Sequence, residues 1–380
     1  FITRSKYSPV AQKNMSLVSF LRSCKAQLAK SVQQLHQITF VTGNQSSDMD
    51  SVVSAIAYSY FTHCQNTSEQ IILPFVNIPE ADLSLRRDIR YALSSIGIQS
   101  QDLIFADDLK SIPTDTKMQL VLVDHNKLEG ENEAIMENKF HAQVVGIIDH
   151  HKDEGLYLNA NPRILQTVGS CSTLVLTHLM DTIKKSSIDF STGRFLVSAI
   201  LLDTGNLKDA YKTKPEDVNV IMQLKKQVDG LSEDALKKEN KTLHKQKRST
   251  EGFSFTDILR KDYKEYVCGK FRAGISSVGG SLADLTAKFG KKEIENSTKK
   301  LRDDRQLDLM IIMNSYNDAS KKHCRQISVV GKPGVALSTG LVNSVNKPLQ
   351  LESQLTVLAD DIQSVEQVNG AASRKQVAPL

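Results

Sequence analysis

The sequence predicts an α/β protein with a mostly parallel sheet carrying helices on both faces, followed by a smaller α/β domain. Three observations support this fold class. Apolar, β-branched runs alternate with helix-type segments from residue 37 to about residue 228, which is typical of a parallel sheet. Several of these runs end in an acidic residue. At 380 residues the chain is also too long for one typical core, so we expect two domains.

The expected strands of the first domain are short and rich in Val, Ile and Leu. They cover residues 38–41, 71–76, 103–105, 120–123 and 144–148. Helices are expected at residues 51–63, 84–96 and 171–181, while residues 193–202 fit either a helix or a strand. In the second domain we expect a helical turn near residue 258, strands at 271–278, 309–313 and 327–330, and a helix at 281–288.

Composition divides the chain into four parts, residues 1–36, 37–228, 229–250 and 251–380. The first is a basic leader and helix. It is rich in serine and free of acidic residues, so it also fits a mitochondrial transit peptide, although the helical spacing of its apolar residues favours a plain helix. The second and fourth parts are the two domains. The lysine-rich third part is a linker or a solvated helix.

The apolar runs, the cysteines and the net charge of the sequence limit the classes of protein to which the chain can belong. No run approaches the roughly 18 apolar residues that span a membrane. The five cysteines lack metal-type or redox-type spacing, which is typical of reduced thiols in the cytoplasm. A net charge of +5 suits a polyanionic ligand without specifying one.

Carboxylates and imidazoles that follow four apolar runs form the candidate site. These residues are Asp48, Asp50, Asp124, Asp149, His150, His151 and Asp203. Strand carboxyl ends line one crevice in an open α/β sheet, so we expect the groups to converge there. Both side-chain types bind divalent metals. So many carboxylates would repel one another strongly unless cations, such as a pair of divalent ions, neutralised them.

Two glycine-containing turns precede helices beside these groups. Gly43 lets the chain turn off the first strand, and Ser51 is expected to cap the helix that follows. The segment 169–173 has backbone N–H groups and the Ser170 hydroxyl at a helix start. They suit phosphate oxygens, but simple capping of the helix by Ser170 or Ser172 fits equally well.

Two sets of basic residues are further candidates for phosphate binding. Arg86, Arg87 and Arg90 lie on an expected helix and suit either phosphate or surface salt bridges. Arg374 and Lys375 combine a fork-type donor with a point charge, although a basic pair at a chain end also fits a solvated tail.

These motifs resemble the DHH phosphoesterase superfamily. Residues 43–51, 122–126 and 146–151 resemble its first three motifs, and residues 169–173 with 202–204 resemble the fourth region. Residues 258–264 and 373–379 look like the landmarks of a DHHA2 domain, as in family II inorganic pyrophosphatases and fungal exopolyphosphatases. The stretch 82–88 and Asn44 are most similar to the fungal cytosolic exopolyphosphatases. The resemblance makes residues 37–228 the DHH catalytic domain and residues 251–380 the DHHA2 substrate-binding domain.

The resemblance implies a role for each site residue. Asp48, Asp124 and Asn44 would hold one divalent cation, and Asp50, Asp124, His150 and Asp203 the other. Asn44 replaces a histidine of the pyrophosphatases, and an amide oxygen favours Mg²⁺ over Mn²⁺. The implied catalytic residues are His151, Asp124 and Asp149, with His151 contacting phosphate or protonating the leaving group. The implied substrate-binding residues are His151, Lys264, Arg374, Lys375 and Ser170.

The expected function is a metal-dependent exopolyphosphatase, in which a metal-bridging hydroxide attacks the terminal phosphate of linear inorganic polyphosphate. Inorganic pyrophosphatase or nucleotide phosphodiesterase activity on the same two-metal site is the alternative, and a catalytically weak binding protein is a third hypothesis. We expect a monomer without nucleic-acid or membrane partners. We expect it in the cytoplasm, or in the mitochondrial matrix if residues 1–36 include a transit peptide.

Overall fold

A parallel six-stranded sheet organises the N-terminal half of the chain. The computed structural model describes residues 15–31, 37–65, 71–268, 271–331, 351–359 and 362–367. The chain divides into two units, residues 1–249 and 250–380. The strands of the first unit are β1 (Gln37–Thr42), β2 (Ile72–Val76), β3 (Ile104–Phe105), β4 (Lys117–Val123), β5 (Gln143–Asp149) and β6 (Arg163–Leu165).

The strand order of this sheet is β3-β2-β1-β4-β5-β6, and every pair is parallel. The direction of the order reverses at β1, where Phe40 pairs with Leu73 on one side and with Leu120 on the other. Such a reversal opens a crevice at the carboxyl ends of the two central strands in doubly wound sheets. The residues that follow β1 and β4 are therefore placed at this crevice, with those of β5 beside them.

Nine helices accompany this sheet among the described residues. They are α1 (Leu17–Ser31), α2 (Met49–Gln65), α3 (Arg87–Ser95), α4 (Glu131–Phe140), α5 (Cys171–His178), α6 (Met180–Ile183), α7 (Phe190–Asp203), α8 (Pro215–Gln227) and α9 (Glu233–Arg248). In α2 every residue from Met49 to Phe61 is buried, since Ala, Ser and Val dominate the helix and leave no charged outer face. The helix that begins with the first candidate carboxylates therefore lies inside the core.

Residues 193–202, which fit either element in the sequence, lie in helix α7. Residues 195–202 are all buried, so no polar face marks the helical period. The helix is capped by Asp189, whose side chain accepts from the Thr192 N–H at 2.8 Å. Asp203 thus ends a helix, which decides between the two elements that the sequence allows for residues 193–202.

The lysine-rich stretch after residue 229 forms helix α9, capped by Ser232. Leu236, Glu239 and Leu243 lie on one face and are buried. The Tyr91 hydroxyl donates to Glu239 Oε2 at 3.1 Å, which ties α9 to α3. The charged residues cover the outer face of a docked helix.

The second unit carries a mixed sheet. Its helices are α10 (Phe255–Lys261), α11 (Leu282–Phe289) and α12 (Lys291–Asp304), and its strands are β7 (Tyr263–Cys268), β8 (Phe271–Gly279), β9 (Leu309–Asn317), β10 (His323–Gly331), β11 (Leu351–Ala359) and β12 (Ile362–Gln367). The order is β11-β12-β10-β9-β8-β7, with β8 and β9 parallel and the other pairs antiparallel. A core around Phe255, Leu301 and Met310 lies under this sheet.

The expected fold class, a parallel α/β sheet followed by a smaller α/β unit, is confirmed. Within the described residues, no helix has both the length and the apolar character needed to cross a bilayer.

Replacing Gly43 by alanine is expected to destabilise the first unit. A Cβ at this position would lie 2.2 Å from Ser51 Cβ and 2.8 Å from Ser51 Cα, so the start of α2 would have to move. Overpacking of this kind costs about 1–3 kcal/mol, measured as a loss in the free energy of urea unfolding. Gly279→Ala is the control, because nothing lies within 4 Å of its added Cβ. Equal stabilities of the two variants would contradict the prediction.

Candidate metal centre at the carboxyl ends of the parallel strands

Four side chains from the tips of β4 and β5 form the centre of the candidate site. One ligand atom from each of Asp124, Asp149, His150 and His151 lies within 4.8 Å of the others. His150 Nε2 is 3.3 Å from Asp124 Oδ1 and 3.9 Å from Asp50 Oδ2. The fold therefore brings together carboxylates and imidazoles from the tips of β4 and β5 and from the first turn of α2.

Asp124 is held in an unusual backbone conformation directly after β4. Its φ of 61° is in the left-handed region, which costs energy for a residue with a side chain. Its N–H donates to Ile148 O and to Cys171 Sγ, both at 3.1 Å. Its Oδ2 accepts from Asn44 Nδ2 and Ser51 Oγ, both at 2.7 Å. Asp124 Oδ1 takes part in none of these bonds and lies 3.3 Å from His150 Nε2.

The turn before α2 differs from expectation in two details. Asp48 caps the helix, because its side chain accepts from the Ser51 N–H at 3.2 Å, whereas Ser51 was expected to be the cap. The Ser51 hydroxyl instead donates to Asp124. Asn44 faces Asp124 with its amide nitrogen, while its Oδ1 accepts from Ser46 N at 2.9 Å and Ser46 Oγ at 2.6 Å.

Asp50 is buried and takes the donors at the start of α5. It accepts from Ser170 Oγ at 2.7 Å, Cys171 N at 2.6 Å, Ser172 N at 2.8 Å and Ser172 Oγ at 2.8 Å. The sequence suggested phosphate oxygens or plain capping for this segment. In the structure a carboxylate of the protein itself occupies the anion position at this helix start.

Burial and neighbouring carboxylates raise the pKa of Asp50 and of Asp203. Burial, and next the charge of Asp124, raise the pKa of Asp50. Burial, and next the charge of Asp50, raise the pKa of Asp203 well above its usual range, and Asp48 contributes to both shifts. Mutual repulsion of this kind is relieved by cations.

The two histidines have different partners. Burial opposes the charged form of His150, but the hydrogen bond to Asp124 and the charge of Asp50 outweigh it and raise the pKa of His150 to about 10. His151 Nδ1 lies 2.7 Å from Asp149 Oδ1. Burial opposes ionisation of Asp149 as well, but the His151 and Asn126 hydrogen bonds lower its pKa to about 2. Asp149 is therefore a fixed anion beside His151.

The donor set fits divalent cations. Buried carboxylates and imidazoles are the ligands of Mn²⁺ and related ions. His150 would bind a cation through Nε2, which lies 3.3 Å from Asp124 Oδ1, after that nitrogen has lost its proton. Of the remaining candidates, Lys264 is half-buried on β7 of the second unit. Arg374 and Lys375 lie outside the described residues.

The sequence did not single out the role of Arg86. Its side chain is buried, and Nε and Nη2 donate to Ser46 O at 3.0 and 2.6 Å. Nη1 donates to Asp82 O at 3.2 Å. It thus holds the 43–48 loop instead of phosphate or a surface partner. Nothing in the residue types distinguishes it from Arg87 and Arg90.

A buried ion pair beside Asp124 was also missed. His125 Nε2 lies 2.8 Å from Glu133 Oε1, and its Nδ1 lies 2.9 Å from Val123 O. Glu133 is 1% exposed and also accepts from Asn77 Nδ2 at 3.0 Å. Burial opposes charge on His125, but Glu133 outweighs it and raises the pKa of His125 to about 9. The pair ties α4 to the tip of β4.

Comparison with known proteins gives matches over nearly the whole chain. The model of the DHH family, N-terminal domain, matches residues 38–221, and that of the DHHA2 domain matches residues 241–380. A Schizosaccharomyces pombe protein named "Putative exopolyphosphatase" is 34% identical, covering 96% of this chain and 97% of its own length. The "Manganese-dependent inorganic pyrophosphatase" of Methanothrix thermoacetophila is 26% identical, covering 72% of this chain and 80% of its own.

The fold has a counterpart among solved structures. A crystal structure described as a "putative family II inorganic pyrophosphatase" from Methanococcus jannaschii has a TM-score of 0.57 and 20% sequence identity. The match covers 90% of this chain and 97% of that chain. It concerns the fold alone, whereas the family resemblance noted from the motifs is confirmed by the two domain matches.

Replacing Glu133 by glutamine is expected to destabilise the first unit by about 3 kcal/mol at pH 6, because the buried imidazolium of His125 loses its counter-charge. The folded pKa of His125, about 9, lies above its usual 6.5. The contribution of the His125–Glu133 pair to the free energy of unfolding is therefore complete below pH 6.5 and is lost as the pH rises through 9. Urea unfolding in EDTA at pH 6 and pH 9.5 measures it.

Glu137→Gln, on the exposed face of the same helix, is the control and should change little at either pH. A difference between Glu133→Gln and the unsubstituted protein that is the same at both pH values would contradict the assignment.

Proposed function

We propose, from the premise that this chain belongs to the DHH family and carries a DHHA2 domain, that it is a metal-dependent exopolyphosphatase. It would release terminal orthophosphate from linear inorganic polyphosphate. The observation that carries the proposal is the convergence of Asp50, Asp124, Asp149, His150 and His151 at the strand tips. The similarity to an exopolyphosphatase-named relative along 97% of its length supports this substrate.

Two divalent cations, Mg²⁺ or Mn²⁺, would lower the pKa of a coordinated water and offset charge on the transferring phosphoryl group. We assign one to Asp48, Asp124 and Asn44, and the other to Asp50, Asp124, His150 and Asp203. Asn44 would join through its amide oxygen, which accepts from Ser46 in the structure. Its amide nitrogen meanwhile holds Asp124 Oδ2. The assignment therefore requires the Asn44 amide to change partners.

His151 is proposed as the group that handles protons at the leaving phosphate. Asp149 accepts a hydrogen bond from His151 Nδ1. Asp149 stays ionised because His151 and Asn126 both donate to it, the Asn126 Nδ2 to Asp149 Oδ2 at 2.6 Å. An Nδ1–H held in this way leaves Nε2 as the nitrogen that exchanges a proton. When protonated there, His151 would donate to the oxygen that departs.

The substrate is a polyanion, and the proposed contacts are basic or hydroxylic. We assign Lys264, Arg374, Lys375 and Ser170 to the phosphate chain. Ser170 donates to Asp50 in the structure, so binding phosphate would require it to change partners. The assignment of Arg374 and Lys375 rests on their motif alone.

Inorganic pyrophosphatase activity is the second candidate, supported by the similarity to a manganese-dependent inorganic pyrophosphatase. Asn44, where the resemblance expects histidine in pyrophosphatases, favours the longer substrate. A nucleotide phosphodiesterase would use the same cations.

We propose that the protein is a monomer and that it is located in the cytoplasm. The cytoplasmic location is consistent with the free thiols of Cys24, Cys64, Cys171 and Cys324.

Purified protein with Mg²⁺ or Mn²⁺ is expected to release orthophosphate from long-chain polyphosphate faster than from pyrophosphate or a dinucleotide. EDTA should abolish the release, and added Mg²⁺ should restore it, because the carboxylates need the cations. A colorimetric phosphate assay on all three substrates measures it. Faster release from pyrophosphate than from polyphosphate would favour the second candidate.

Asp124→Asn is expected to lower polyphosphate hydrolysis by about 100-fold or more, beyond the loss typical of outer-shell partners of a metal. The amide keeps the size of the side chain, and asparagine tolerates positive φ, so circular dichroism should be unchanged. Asp115→Asn, at an exposed position, is the control. Near-normal turnover in Asp124→Asn would refute the shared-ligand role of this residue.

A further inference from the structure

One short segment, residues 168–173, contacts three of the six proposed cation ligands. We call it the organising segment. Val168 O lies 3.0 Å from His150 Nδ1. The donors of residues 170–172 converge on Asp50. Cys171 Sγ accepts from the Asp124 N–H. This one segment therefore contacts three proposed ligands that come from three different parts of the fold.

A carboxylate from another helix holds the organising segment at both ends. Asp217, in the first turn of α8, is 0% exposed. Its Oδ2 accepts from Gly169 N at 2.9 Å, and its Oδ1 accepts from Thr173 Oγ1 at 2.5 Å. Oδ2 also accepts from Lys214 N at 2.7 Å, which caps α8.

Gly169 makes this contact possible. A Cβ there would lie 2.7 Å from Asp217 Oδ2 and 2.5 Å from Thr204 Cγ2. Only a residue without a side chain therefore lets the carboxylate reach the backbone. Thr204 directly follows Asp203, so the same close contact packs the segment against the end of α7.

We propose that Asp217 is a positioning residue for the cation site, which acts through the organising segment without touching cation or substrate. The inference rests on the proposed function only in requiring that divalent cations bind. If the Asp217 carboxylate is lost, three donors lose their acceptor in a buried place. The segment would then shift, and with it the donors to Asp50 and the acceptor for His150.

The test is Mn²⁺ binding by the 380-residue protein without substrate, measured by titration calorimetry. Asp217→Ala is expected to raise the Mn²⁺ dissociation constant about 10-fold or more, as loss of outer-shell partners does. Asp217→Asn should stay within about 3-fold. Its amide oxygen can still accept from both N–H groups, and the Thr173 hydroxyl can turn to accept from the amide nitrogen.

The control is Asp284→Ala, which removes the carboxylate of the capping box at the start of α11. This change should lower the melting temperature in EDTA but leave the Mn²⁺ constant as it was. An unchanged constant in folded Asp217→Ala would overturn the proposal. If Asp217→Ala does not fold, Thr173→Val removes one anchor bond. A constant raised several-fold supports the proposal, and an unchanged one overturns it.

Phosphate release from polyphosphate is measured separately at saturating Mn²⁺. If the unsubstituted protein binds Mn²⁺ and Asp217→Ala loses affinity, but no phosphate is released, the proposed function fails and the role of Asp217 stands. If the protein hydrolyses polyphosphate while Asp217→Ala binds Mn²⁺ normally, the role of Asp217 fails and the function stands.

Discussion

The crowding of buried carboxylates at the tips of β1, β4 and β5 is the constraint on which the rest of the first unit depends. Asp50 and Asp124 come from different elements, yet both face His150. Each accepts from several donors, yet burial and next the charge of Asp124 still raise the pKa of Asp50. A fold that buries such a cluster needs rigid surroundings and a counter-charge, and the donor set indicates that divalent cations supply it.

The surroundings are rigid because each loop of the site has its own buried anchor. Arg86 holds the loop after β1 because its guanidinium donates two hydrogen bonds to the backbone carbonyl of Ser46. Glu133 holds the tip of β4 through His125. Asp217 holds the segment before α5. All three are charged residues with low exposure, and each bonds mainly to backbone or to a neighbouring side chain of the scaffold.

Much of the fold and of the site's centre could be predicted from the sequence. Central strands are continuous β-branched runs, and their acidic ends meet by the geometry of parallel sheets. Helix α7 could not be distinguished from a strand, since residues 195–202 are all buried and show no polar face. Helices α4, α8 and α12 were missed because polar residues dominate them. The anchors were missed too, because a buried charged residue has no local pattern and depends on partners distant in the chain. The sequence separation of 40 between Arg86 and Ser46 is an example.

The burial of α2 on all sides has a consequence for the choice of ion. Close-packed protein interiors deform little. The backbone that carries Asp50 therefore cannot shift to fit an ion of larger or smaller radius unless the core around α2 repacks. Adjustment to a different ion would fall to donors outside this helix, such as His150 in the loop after β5. The selectivity for one cation over another would then depend on the ligands outside α2, while Asp50 keeps a fixed position.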